Sequence, residues 1–119
     1  AYKMGITTTD KIFKIYEETY LHDLPVVSMK FLFEKRSVEF AFESFDESSK
    51  TYKPLSFLFS GVSKFISDSA PDKPFEIVEL MNAEIEKRDN AYYTKLVFQQ
   101  SDSVWIVELT FQDLEVVVW

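Results

Sequence analysis

Residues 26–43 read VVSMKFLFEKRSVEFAFE, and the fold turns on this stretch. Val27, Met29, Phe31 and Phe33 alternate with Ser28, Lys30, Leu32 and Glu34. After the polar Glu34-Lys35-Arg36-Ser37, Val38, Phe40 and Phe42 alternate with Glu39, Ala41 and Glu43. Successive side chains of a strand point to opposite faces, so this period of two sorts them into an apolar face and a wetter one. Two such runs so close together predict an antiparallel hairpin.

The rhythm continues outward from there. Past the polar turn at 46–50, Leu55, Phe57 and Phe59 mark a third strand, with Pro54 near its start, where a missing donor is tolerated. Gly61 breaks that run, and Val62, Phe65 and Ile66 form a brief apolar piece before a loop over 67–74 that is rich in proline, serine and aspartate. Further on, Tyr92, Thr94, Leu96 and Phe98 fall on one face of a strand; Trp105, Val107, Leu109 and Phe111 do the same, then Leu114, Val116 and Val118. Segment 75–87 is ambiguous: Phe75, Ile77, Met81 and Ile85 suit a strand, while Ile77, Leu80, Met81, Glu84 and Ile85 nearly suit a helix. The β-rich surroundings favour a strand there, bulged if need be; a helix would make the fold α+β.

Upstream, Thr7, Thr8, Thr9 and Asp10 are helix N-cap types, and Ile12, Phe13, Tyr16 and Tyr20 recur at helical spacing. This predicts a short helix over about 10–20 that ends before Pro25, since proline disfavours helical geometry at the residue before it. One domain is expected over residues 1–119, with a helix and corner in 1–25 and an antiparallel sheet in 26–119. The class is mainly β, with about seven strands joined as a meander. Curling or folding into a sandwich would each hide the sheet's edges, and periodicity does not choose between them.

Composition narrows the chemistry. The chain has one histidine, no cysteine and two glycines among twelve phenylalanines and six tyrosines. That rules out disulfides, thiolate metal sites and cysteine nucleophiles, and it leaves too little glycine for a phosphate-binding loop. Thirteen basic against twenty acidic residues give a net charge of −7, which disfavours nucleic acid and anionic lipid and favours a basic protein partner. No run reaches the roughly 20 apolar residues of a membrane helix, and the first residues carry no hydrophobic signal core, so the expected setting is cytoplasmic. No cofactor is expected. The chain is expected to be a monomer or a weak homodimer, the latter through the apolar edge at 114–119.

His22 beside Asp23 is where histidine and carboxylate meet in sequence. A hydrolase would need a nucleophile converging on that pair, whereas a structural corner needs only backbone partners nearby, which is the reading adopted. Glu39 and Glu43 lie on one strand face, roughly 13 Å apart by the strand rise, too far for a retaining glycosidase pair. Asp68 and Asp72 share a loop but lack an EF-hand framework. Tyr92, Tyr93, Trp105 and Trp119 are residue types enriched at interface centres and are equally suited to a core. With Glu39 and Glu43 they make up the expected contact residues.

Three pieces in order carry a resemblance: Leu21-His22-Asp23 leading into a strand, Phe59-Ser60-Gly61-Val62 closing the third, and a final acidic-apolar pair of strands. This order resembles small bacterial immunity proteins of contact-dependent or polymorphic toxin systems and the uncharacterised domains that share their layout, over residues 20–119. The resemblance implies a non-catalytic inhibitor that occludes a toxin's active site. The other reading is a curled sheet holding a small apolar ligand, which requires an enclosed pocket of several hundred cubic ångströms.

Overall fold

The computed structural model describes residues 11–19, 21–70 and 76–118, the side chain of Val118 excepted. The N-cap run 7–10 and Trp119 lie outside them. The order is α1 (Lys11–Glu18), β1 (Leu24–Leu32), a single 3-10 turn (Phe33–Lys35), β2 (Ser37–Asp46), β3 (Thr51–Ser60), β4 (Lys64–Ser67), β5 (Val78–Arg88), β6 (Ala91–Gln100), β7 (Ser103–Phe111) and β8 (Asp113–Val118). These eight strands form one antiparallel sheet in the order β4-β7-β6-β5-β1-β2-β3-β8. The eighth strand beyond the expected seven is β4, which the sequence presents only as an apolar piece.

Two meanders, β1-β2-β3 and β5-β6-β7, are joined side by side through β1 and β5. The remaining strands, β4 and β8, are continuations rather than new elements. Only Gly61, Val62 and Ser63 separate β3 from β4, and only Gln112 separates β7 from β8. At that double corner Ser63 N–H donates to Thr110 O at 2.9 Å and Gln112 N–H donates to Ser60 O at 3.0 Å. The sheet therefore curls until its two ends meet at one corner, without closing into a ring. β4 pairs with β7 and β8 with β3, not with each other.

The inward faces follow the alternation. Val38, Phe40 and Phe42 of β2, Leu55, Phe57 and Phe59 of β3, Leu96 and Phe98 of β6, and Trp105, Val107, Leu109 and Phe111 of β7 are all buried. The rings meet across the interior: Phe40 stacks on Phe98 at 5.7 Å between centroids, and Phe59 meets Phe111 edge-on at 4.8 Å. Burying each phenylalanine contributes on the order of 1.5–3 kcal/mol, so the interior supplies most of what holds the sheet in its curl.

Segment 75–87 is strand from Val78 onward, and it is bulged: pairing with β6 shifts between Leu80 and Asn82. A second shift, between Val26 and Ser28, corrects the reading of β1. Met29 and Phe31 lie opposite Phe40 and Val38 and share their inward face, but Val26, opposite Phe42, joins them in place of Val27. Val27 is 64% exposed and Phe33, in the 3-10 turn, is 85% exposed.

The short helix covers the interior at one end. Ile12 is buried in the core with Ile15 and Tyr16 packed beside it. Tyr16 donates its hydroxyl to Thr94 Oγ1 at 2.6 Å, and Thr94 passes the chain on to Glu84 O at 2.7 Å. Burial pushes the Tyr16 phenol well above its ordinary range, so it stays a neutral donor. An ion pair of 2.9 Å links Lys11 to Asp113, both largely exposed, and adds little.

Candidate functional site

The His22-Asp23 corner is a structural joint. Leu21 and Leu24 are buried on either side of it, and Asp23 turns the chain with a φ of 52°. His22 Nδ1 lies 3.0 Å from Met81 O, the carbonyl of the residue that bulges out of β5. The imidazole thus reaches an element 59 residues away, where the sequence reading expected backbone groups of the adjoining turn. A cleft of about 330 Å³ beside it is lined by Tyr16, Glu17, Glu18, Thr19, Leu21, His22 and Ala83. Asp23 is not part of that lining, so the sequence pair does not converge on the cleft. Among the described residues no three of His, Cys, Asp and Glu are grouped so as to hold a metal ion. Asp68 accepts the Ile106 N–H at 2.8 Å, and Asp72 lies outside the described residues.

The aromatic candidates scatter. Trp105 is 5% exposed and stacked on Phe98 at 5.7 Å, so it belongs to the core and not to an outer contact face. Tyr92 faces inward, stacked on Phe111 at 5.7 Å with Lys87 Nζ 4.1 Å from its ring. Its neighbour Tyr93 faces outward, donates its hydroxyl to Glu108 and carries the Arg88 guanidinium 3.8 Å from its ring centroid. The bond to Glu108 holds the Tyr93 phenol up at about 12. Adjacent residues of a strand take opposite faces, so these tyrosines form no shared patch.

Glu39 and Glu43 share the outward face of β2, β3 and β8, about 13 Å apart along the strand. Directly paired residues share a face, and the register sets Glu39 opposite Leu58, Ala41 opposite Ser56, Glu43 opposite Pro54 and Phe45 opposite Tyr52. From β8, Glu115 lies opposite Leu58 and Val117 opposite Ser56. The result is a small-residue and apolar centre (Ala41, Ser56, Leu58, Val117) flanked by Glu39, Glu43 and Glu115. At one end Phe45 and Tyr52 meet edge-on at 5.3 Å, 44% and 58% exposed. Lys30, opposite Glu39, brings a cation from β1. The sequence does carry the sign of this patch, because Phe45 falls on the wet parity of β2.

Asp46 closes β2 at the β2–β3 turn, one residue beyond Phe45 and on the opposite parity of the strand. It accepts hydrogen bonds from Ser49 at 2.7 Å and Ser48 at 3.0 Å, and pairs with Lys53 at 3.0 Å. Those bonds, Ser49's first, hold its carboxyl well below the usual carboxylate range. A depressed folded value means that the stabilisation is present above the unfolded aspartate's value of about 3.9 and is lost as pH falls towards the folded one. A carbon-detected NMR titration should find the Asp46 midpoint well under about 3.9, and Ser49→Ala should raise it. A midpoint at the ordinary value would show the turn's bonds to be absent in solution.

A second surface lies where the sheet stays open. β1 pairs with β5 only through Leu24, Pro25 and Val26, so among the described residues no strand covers that side of 28–32. β4 likewise has a strand partner on one side only. Across this seam the Phe31 and Phe65 rings touch edge-on at 4.4 Å. Val26, Val27, Met29, Phe40, Ser67, Ser69, Ala70, Val78, Phe98, Trp105 and Val107 line a cleft of about 180 Å³ that is open to solvent. A further cleft of about 220 Å³ runs between Phe31, Phe33, Arg36, Val62, Lys64 and their neighbours.

Among the described residues no helix is long and apolar enough to cross a membrane. No protein-family model, curated protein or solved structure matches this chain.

Proposed function

We propose that this chain is a non-enzymatic protein-binding domain that receives a basic partner on the outward face of β2, β3 and β8, as an immunity-like inhibitor receives its toxin. The observation that carries the reading is the placement of Glu39, Glu43 and Glu115 on one sheet face, around an apolar centre with Phe45 and Tyr52 beside it. An apolar centre with a charged rim is the anatomy of transient protein interfaces, and three carboxylates against the Lys30 cation leave this rim net acidic, which steers a basic partner. The two quoted sequence motifs sit at the corners of the scaffold, His22 tied to β5 and Gly61 at the double corner. Any likeness to immunity proteins therefore concerns the frame that holds this face.

The alternative, a carrier of a small apolar ligand, draws less support. The seam cleft of about 180 Å³ is open and smaller than the ~300 Å³ at which small-molecule sites begin. The cleft of about 330 Å³ beside His22 is also open and is lined by Glu17, Glu18 and Thr19 among others rather than by the phenylalanine-rich interior.

The test is retention of a basic protein by the immobilised chain from its native cells at low ionic strength. The complex should dissociate as salt rises, because charges are screened within about 10 Å at 0.1 M. Reversing Glu39, Glu43 and Glu115 to lysine should slow association by about tenfold or more. Retention that ignores both salt and the reversals would contradict the proposal, as would failure to retain any basic protein.

A further inference from the structure

We infer that the seam between β1 and β4 docks an extended segment of another protein, one with large apolar side chains at alternate positions and carboxylates beside them. This goes beyond the acidic face, since it concerns a different surface of opposite local charge.

Strand addition needs an uncovered strand edge and pockets for alternate side chains. Among the described residues, the seam leaves such an edge on β1 beyond Val26 and again on β4. It supplies the pockets as two clefts that share β1, with Met29 lining one, Phe31 lining the other and the Phe31–Phe65 ring pair beside them. Side chains on one face of a strand are roughly 7 Å apart, so alternate residues of an added strand can fall on either side of that ring pair. An apolar cavity of about 150 Å³ accepts a benzene-sized ring, and these clefts of about 180 and 220 Å³ suit one large apolar side chain each.

Charge selects the occupant. Among the described residues, the charged side chains lining the two clefts are Arg36 and Lys64, both cationic, in a chain whose net charge is −7. Lys35 stands in the same turn, with Glu34 as its one acid. An apolar segment flanked by aspartate or glutamate complements this rim; a basic one is repelled by it.

The test is selection of random short peptides, displayed on phage, against the whole immobilised chain. Enriched sequences should alternate large apolar residues and carry acidic flanks. Their affinity should fall about tenfold or more with Val27→Asp plus Phe33→Asp, and severalfold with Arg36→Glu plus Lys64→Glu. Both apolar positions are largely exposed, so the variants keep the fold, which a thermal melt verifies. Lack of enrichment, basic flanks, or affinity unmoved by the double aspartate variant would each overturn the inference. Peptides lost on Glu43→Lys but retained on the aspartate variant would belong to the acidic face, supporting that reading and sinking this one.

Discussion

Gly61→Val is expected to lower the free energy of unfolding by about 2–5 kcal/mol, a large share of the ~5–15 kcal/mol that holds a domain of this size together. Two costs combine. Gly61 has a φ of +63°, which a β-branched residue adopts only under strain. A Cβ placed there would stand 2.7 Å from Gln112 Cγ and 2.8 Å from Gln112 Cβ, so something at the double corner must move. The costs separate experimentally. Gly61→Ala should be milder, and adding Gln112→Gly to it should recover the steric part while leaving the backbone part. Urea unfolding measures all three variants. A loss within about 0.5 kcal/mol for Gly61→Val would show that the corner is not built as described.

Phe40→Ala is expected to cost about 3–5 kcal/mol, the range for emptying a buried aromatic site. Phe40 is 1% exposed and touches the rings of Phe42, Phe59 and Phe98, contributed by three strands. Its sequence neighbour in kind, Phe33, is nearly free of the core and should lose under about 0.5 kcal/mol as alanine. Equal losses at the two positions would contradict the inward and outward assignment of β2 and the 3-10 turn.

Much of this was readable before any coordinates. The inward residues of β2, β3, β6 and β7 are those the alternation names, because these strands pair without a shift along the stretches that matter. The alternation stops naming the inward residues where a bulge slips the phase. At Met81 the inward set steps from Leu80 to Ala83 and Ile85, a spacing of three and then two that imitates a helical face. The same slip at Val27 exchanges it for Val26. β4 is not legible as a strand, because Phe65 and Ile66 are adjacent and four residues carry no period. The acidic face was half legible, since Glu39 and Glu43 share a strand, but Glu115 joins them only through the β3–β8 pairing. The seam was not legible, because the sequence does not say which half of β1 lacks a neighbour.

The seam and the double corner both depend on the curl of the sheet, and Phe40 with Phe98 reports on it. Two strands, β1 and β5, lie between β2 and β6, so in a flat sheet these rings would sit roughly 14 Å apart. In the curled sheet they stack at 5.7 Å. A double-mutant cycle with Phe40→Ala, Phe98→Ala and both should give a coupling of about 0.5–1.5 kcal/mol. Losses that simply add, within about 0.3 kcal/mol, would mean that the rings do not meet and that the sheet does not fold back on itself.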